Sequence, residues 1–290
     1  MKTNLFINTV LNEYLTDDSE ILKVQPVSGG MINQSLLVKT NASKYFIKWN
    51  NDPLYPDLFE KEAEGLNALS SECIRVPNVV CFGQIEEKYF LVLEYIPSGK
   101  LCPDFWEKLG MGLAQLHKSS HDYYGWHTDN HIGKIPQINS VKTKWTEFFI
   151  QNRLKPQIRL AVDNGYMQSL FIRKFDQLFI LLDDLLPIES PALIHGDLWS
   201  GNFMADDSGL PVVFDPAVYY AHREIEIAFT LLFGGFDHQF YKSYQTAFPL
   251  QPHFEERVGI YQLYPLLVHV NLFGPSYMTG ISETLKRFAN

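Results

Sequence analysis

The chain has 290 residues, 46% of them apolar and 14% aromatic, enough to bury one large core or two modest ones, which excludes a disordered or fibrous protein. Its 33 acidic against 24 basic residues give a formal charge of -9, so the surface repels polyanions and nucleic acid is set aside as a partner. Cys73, Cys81 and Cys102 are too few and too irregularly spaced for a disulfide framework and form no C-x-x-C pair, which points to a reducing cytoplasm.

In chain order, Met1 to Glu20 carries one lysine, several acids and no sustained apolar stretch, so it reads as neither signal peptide nor anchor. From Val24 to Trp49 the pattern is strand, loop at Gly29 and Gly30, strand, turn at Asn41, Ala42 and Ser43, and strand. After Pro53 and Pro56, the apolar residues Phe59, Ala63, Leu66 and Leu69 recur at helical spacing and predict one amphipathic helix. A strand pair follows at Val79 to Phe82 and Tyr89 to Ile96. Pro97, Ser98 and Gly99 form a linker, and helices dominate beyond it except for a β segment from Leu193 to Phe214. Asp183 and Asp184 split one later apolar run, and Gln262, Pro265 and His269 interrupt another, so no membrane span is expected. The expectation from element order is an α+β chain of two lobes: residues 1–97 as a small antiparallel β lobe with one helix, and residues 98–290 as a larger, mainly helical lobe.

The most informative stretch is His195-Gly196-Asp197-Leu198-Trp199-Ser200-Gly201-Asn202, followed by Phe214-Asp215-Pro216. Asp197 and Asn202 stand five positions apart, the separation of base and metal-binding amide in a kinase catalytic loop. Phosphoryl transfer needs a carboxylate beside the attacking hydroxyl, and a neutral amide oxygen helps hold magnesium without adding repulsion toward the triphosphate. Asp215 supplies a hard anionic ligand, and a hairpin turning at Asp206-Asp207-Ser208-Gly209 is expected to return it toward Asn202. Taken alone, Asp197 and Asn202 are also ordinary turn formers.

An independent part of the chain agrees. Alternation along Lys44 to Asn50 sets Phe46 and Lys48 on one face, against Tyr45, Ile47 and Trp49. On the following helix Glu62 falls inside the apolar arc of Phe59, Ala63, Leu66 and Leu69. A carboxylate there is costly unless paired, and an inward lysine is the economical partner. Gly29, Gly30 and Asn33 suit a loop whose amides approach phosphate closely. Leu91 to Ile96 reads as an apolar strand running into the linker, where backbone groups could hold an adenine ring, with Glu94, Tyr95 and Ile96 as hinge candidates.

Other signals are discounted. The pairs His117/His121 and His127/His131 have helical metal spacing but no completing ligand. Trp145, Phe148 and Phe149 fall along one helical face and read as core; Arg153 and Arg159 could line a cleft but are read as solvated helix faces.

These residues resemble the fructosamine kinases, or ketosamine kinases, which share the bilobal protein-kinase-like fold of the aminoglycoside phosphotransferases; the resemblance implies that residues 1–97 are the nucleotide-binding lobe and residues 98–290 the catalytic and substrate lobe. The resemblance rests on Ser28 to Gln34, Tyr45 to Lys48, Phe59 to Glu62, Asp129 to Gly133 with Pro136-Gln137, Trp145 to Leu160, His195 to Asn202, and Asp215 to Tyr220 with His222 to Glu224. It implies that Asp197 is the base, that Asn202 and Asp215 bind Mg2+, that Lys48 and Glu62 orient the phosphates of ATP, and that Leu93 to Ile96 form the adenine hinge. It also implies a ketoamine substrate, free or on a glycated protein lysine, phosphorylated on its 3-hydroxyl; the unstable ester then releases the amine, a deglycation repair. Trp199 and Asp129 are the substrate-side candidates. Met31 stands where some relatives carry cysteine, and Glu226 where they usually carry Asp, a change expected to alter a structural hydrogen bond. The alternatives are a kinase for another alcohol, of aminoglycoside, choline or homoserine type, and a non-catalytic nucleotide-binding pseudokinase.

Overall fold

The computed structural model describes residues 2–15, 17–27, 33–70 and 74–288. The expected glycine loop, including Gly29, Gly30 and Met31, and Cys73 lie outside the described residues. Helix α1 (Lys2–Thr9) continues as a π turn over Val10–Tyr14. Five strands follow around one helix: β1 (Ile21–Pro26), β2 (Gln34–Thr40), β3 (Lys44–Asn50), α2 (Leu58–Leu69), β4 (Val79–Ile85) and β5 (Lys88–Glu94). They form one antiparallel sheet in the order β1-β2-β3-β5-β4. The turn between β2 and β3 is fixed by Thr40, whose hydroxyl accepts the amides of Ala42 and Ser43.

One face of this sheet is closed by α1 and its π turn. Phe6, Ile7, Val10 and Leu11 pack with Leu36, Val38, Ile47, Phe90 and Val92, and Tyr45 and Trp49 lie against them. Strand alternation therefore commits Ile47 to this core and turns Lys48 to the opposite face, where α2 packs on β4 and β5. Phe59, Ala63, Leu66 and Leu69 are the buried stripe of α2, together with Leu58 and Gly65.

Beyond the linker come α3 (Phe105–Leu116), β6 (Asn130–Ile132), β7 (Ile135–Gln137), α4 (Trp145–Phe148), a π turn (Phe149–Leu154), α5 (Lys155–Asp163) and α6 (Ser169–Leu185). Strand β8 (Ala192–Ile194) leads into the segment of Asp197, and β9 (Phe203–Ala205) and β10 (Pro211–Val213) make the hairpin before Asp215. Then follow β11 (Tyr219–Ala221), α7 (Glu224–Thr230), α8 (His238–Ala247), α9 (Phe254–Phe273) and α10 (Met278–Phe288).

The chain forms two compact units: Met1–Cys102 with Met204–Asp215, and Pro103–Phe203 with Pro216–Asn290. Sequence pattern places a single boundary at residue 97; the chain instead returns to the first unit for one hairpin. The hairpin is held there by backbone bonds from Gly99 to Ala205 and from Cys102 to Gly209, and by Val213 donating to Arg75. Arg75 also bridges Asp206 and Glu94, each at 2.9 Å.

In the second unit β8 pairs with β11, Ile194 opposite Tyr219, and β6 pairs with β7. Its core includes Trp145, Phe148, Phe149, Tyr261 and Leu267, each large side chain stabilising by roughly 2–3 kcal/mol on burial. Two arginines of this unit are paired with carboxylates: Arg257 with Glu224, and Arg223 with Glu189 through two bonds of 2.9 Å. Among the described residues, no helix is long and apolar enough to cross a membrane.

Candidate active site

In the first unit the structure brings three charged side chains together. Lys48 on β3 donates to Glu62 on α2 at 2.7 Å and to Asp215 at 2.5 Å. The Lys48 and Glu62 side chains are only 8% and 11% exposed, whereas Asp215 is 39% exposed and so is the one a ligand can reach. Burial alone would lower the Lys48 ammonium's pKa; the charges of Asp215 and Glu62 outweigh it and hold the amine protonated. Burial pushes the Glu62 carboxyl up to about 7, with Lys48 opposing and Asp215 adding to the rise. Asp215 adopts a left-handed backbone, φ +57°, uncommon outside glycine and tolerated best by Asp and Asn. Such strain, about 1–3 kcal/mol, marks a residue whose direction matters.

In the second unit the loop after β8 carries Asp197 and Asn202. The Asn202 amide nitrogen donates to the Asp197 carbonyl at 2.8 Å and to its carboxylate at 3.0 Å. Both donors are thereby directed at Asp197, which leaves the amide oxygen of this buried side chain as its acceptor. The start of the loop is anchored by Glu226 on α7, which accepts the amides of His195 at 3.0 Å and Gly196 at 2.7 Å. His117, the residue that caps the C-terminus of α3, bonds the same carboxylate through Nε2 at 2.9 Å and the Tyr244 hydroxyl through Nδ1 at 2.7 Å. Burial by itself would raise the Glu226 carboxyl; the His117 and backbone hydrogen bonds reverse that and hold it below its ordinary value. Gly196 sits at φ +83° with the Ala217 carbonyl pressed into the place where a Cβ would stand, so no other residue fits.

The remaining candidates are placed as follows. Asn33 accepts from the Asn50 side chain at 3.1 Å. Leu93 and Ile96 are buried, Glu94 is bound by Arg75 and Asn78, and Tyr95 has Lys44 5.7 Å from its ring centre. Asp129 accepts the Asn139 amide at 2.7 Å, a turn-forming contact. Trp199 folds back over Gly201, its ring occupying the space where a Cβ at that position would stand. The indole meets Phe233 edge-on at 6.4 Å, and Phe233 in turn packs on His269 and Tyr277. Phe233, at φ +55°, and Phe273 are each about 40% exposed, so this group presents an open aromatic face. Among the described residues, no three His, Cys, Asp or Glu side chains group to hold a metal. A magnesium ligand set drawn from one amide, one carboxylate and phosphate oxygens is of the sparser kind that Mg2+ uses with nucleotides.

The model of the family described as fructosamine kinase matches residues 4–290. The chain belongs to the fructosamine kinase family. It is therefore a kinase, and the antiparallel sheet with its helical second unit is this family's form of the protein-kinase-like α+β fold. A probable ketoamine kinase of Synechocystis is 40% identical over 266 residues, covering 90% of this chain and 88% of that one. The chloroplastic protein-ribulosamine 3-kinase of Oryza sativa subsp. japonica is 39% identical, with coverage of 90% and 77%. The crystal structure of a protein assigned as a fructosamine-3-kinase from Haemophilus somnus 129PT superposes with a TM-score of 0.87 at 30% identity, covering 98% of this chain and 97% of that one. The aminoglycoside phosphotransferase APH(4)-Ia shares the fold, with a TM-score of 0.68 at 14% identity and coverage of 99% and 100%.

Within this fructosamine kinase family member, sequence reasoning misses three groups. His117 reads like the other discounted histidines, although it braces Glu226, the anchor of the loop that carries Asp197. Phe233, His269 and Tyr277 carry no motif; only the double glycine after Phe233 marks that turn. Arg153, expected to be solvated, is instead fully buried. It lies in the π turn over Phe149–Leu154, between the buried residues Asn152 and Leu154.

Proposed function

We propose that this protein transfers the γ-phosphoryl group of ATP to the 3-hydroxyl of ketoamines, free or carried on glycated protein lysines, and so acts in deglycation. The observation that carries this reading is the Asn202 amide clamped on Asp197, in a chain 39% identical to a protein-ribulosamine 3-kinase.

Asp197 serves as the base. As the substrate hydroxyl oxygen bonds to the γ-phosphorus, the bond to the ADP oxygen breaks and the hydroxyl proton passes to the Asp197 carboxylate. Lys48, kept charged and held in place by Glu62, orients the phosphates. Asn202, through its amide oxygen, and Asp215, through its accessible carboxylate, are the proposed Mg2+ ligands; when bound, the ion neutralises charge on the phosphates. ATP as donor is supported by fold neighbours whose structures are complexes with AMP-PNP or ADP. Gly29, Gly30 and Asn33 are the proposed phosphate loop, and Leu93 to Ile96 the adenine hinge. The aromatic face of Trp199 and Phe233 supplies an apolar wall for the sugar or the amine-bearing chain, of which only Trp199 is legible in the sequence. Three cysteines without a pairing motif support a reducing compartment.

A coupled ADP-release assay across fructosyl-lysine, ribulosyl-lysine, an aminoglycoside, choline and homoserine tests the reading. Turnover confined to the ketoamines is expected. Preference for any of the other alcohols, or no turnover on any, overturns it.

A further inference from the structure

The segment Asp129-Asn130 with Pro136-Gln137 has no part in the chemistry above, yet its amide side chains are almost completely buried. Asn130 is 5% exposed, Gln137 1% and the neighbouring Asn139 0%. Polar groups are retained at such depth only when their hydrogen bonds are satisfied, so where those bonds lead is informative. They lead to two consecutive backbone carbonyls. Gln137 Nε2 donates to Ala217 O at 3.1 Å, and Asn130 Nδ2 donates to Val218 O at 2.9 Å. The two amides are locked to each other by Gln137 Nε2 donating to Asn130 Oδ1 at 2.8 Å. A second layer fixes both. The Tyr264 hydroxyl donates to Gln137 Oε1 at 2.6 Å, and Asn139 donates to Asn130 Oδ1 at 2.9 Å. Arg153 donates to Asn139 Oδ1 at 2.7 Å while its guanidinium lies 3.8 Å from the Tyr219 ring centre.

Ala217 is where this network meets the catalytic loop. Its N–H donates to His195 O at 2.9 Å, and its carbonyl is the atom pressed against Gly196. The loop thus rests on Ala217 from one side and hangs from Glu226 on the other. Glu226 grips the two N–H groups of residues 195 and 196, whereas the amide network grips the surface they sit on.

We infer that Gln137, with Asn130 and Tyr264 behind it, is a positioning residue for Asp197: it holds Ala217 O in the one place where the turn at Gly196 can seat. The inference rests on Asp197 being the base. Losing Gln137 lets the Ala217 carbonyl tilt, and the turn that aims the carboxylate follows it. Among the described residues the hydrogen bonds of the network reach neither Lys48 nor Glu62, so the effect on turnover is expected to exceed the effect on affinity for ATP.

The test uses the full chain with Gln137→Met, which keeps the length and apolar bulk but removes both polar groups, and Tyr264→Phe, which removes one hydroxyl. With KM for ATP within threefold of wild type, kcat is expected to fall about 10–100-fold in Gln137→Met and by less in Tyr264→Phe, the scale of a misplacement near 1 Å. Hydrogen exchange of the peptide spanning 192–198 is expected to speed up in both variants while the peptide spanning 254–273 stays protected. That second readout needs no substrate, so it judges the network even if wild-type protein proves to act on another alcohol. Unchanged kcat and unchanged exchange at 192–198 would overturn the inference. So would loss of protection spread evenly over the chain, since that is the mark of a merely destabilised core; if Gln137→Met does not fold, the same two readouts on Tyr264→Phe decide the matter.

Discussion

The ammonium of Lys48 stands 2.5 Å from the carboxylate of Asp215, although 167 positions separate them in the chain. The same ammonium also binds Glu62, so one buried cation serves two carboxylates. Glu62 is enclosed and Asp215 is not. The arrangement therefore has a fixed half, which aims the lysine, and an accessible half free to exchange its partner for a ligand.

Asp215→Asn tests the accessible half. Asn tolerates the left-handed backbone at this position, so the melting temperature is expected to stay within a few degrees of wild type. Turnover is expected to fall by roughly 1,000-fold, about 4 kcal/mol, with a higher magnesium requirement in whatever activity remains. A variant with near-normal kcat at the wild-type magnesium optimum would contradict the proposed role.

Glu62 makes the apo protein's stability depend on pH. The folded-state carboxyl is pushed up to about 7, against 4.5 ordinarily. Between these values the folded chain keeps a proton that the unfolded chain has released, so stability falls as pH rises through that window. Glu62→Gln removes this slope. Urea unfolding at pH 5 and pH 7.5 is expected to show wild type losing about 1–3 kcal/mol relative to the variant; parallel curves would refute it.

Glu226→Gln attacks the anchor of the loop that carries Asp197. Its carboxylate accepts two backbone N–H groups, and an amide nitrogen presented to either leaves buried donors facing each other. A loss of about 2–4 kcal/mol in stability is expected from denaturant melts, with kcat reduced more than KM for ATP. Its depressed carboxyl contributes stability above the ordinary 4.5 that is lost as pH falls below it, so the penalty of the substitution is expected to shrink in acid.

Gly201→Ala probes the proposed substrate side by displacing Trp199 without replacing it. A Cβ there would collide with the indole, which must swing away. KM for the ketoamine is expected to rise about tenfold, or 1.4 kcal/mol, with KM for ATP unchanged. Equal shifts in both constants would argue that Trp199 is only core.

What the sequence disclosed and withheld follows from range. Strand alternation placed Lys48 opposite Ile47, and helical spacing placed Glu62 inside the stripe of Phe59 and Leu66, because both rules act within a few residues. The Asp197 to Asn202 spacing is local in the same way. Pairings with no local signature stayed hidden: His117 reaches Glu226 across 109 positions, and Tyr264 reaches Gln137 across 127. Arg153 was misplaced because a charged side chain reads as solvated, whereas its partners are uncharged acceptors, Ile138 O and Asn139 Oδ1, that local pattern does not reveal. The hairpin before Asp215 was legible from Asp206 to Gly209, but not the unit it joins, which is settled by distant bonds to Gly99 and Cys102.

Phosphorus NMR of the product formed from ribulosyl-lysine and fructosyl-lysine with ATP and magnesium, by wild type and by Asp197→Asn, bears most directly on the proposed chemistry. Wild type is expected to yield an ester on the 3-hydroxyl, and the variant to bind ATP with unchanged affinity yet form at least about 1,000-fold less product. An ester at another position, no ester at all, or a variant within tenfold of wild type would contradict it.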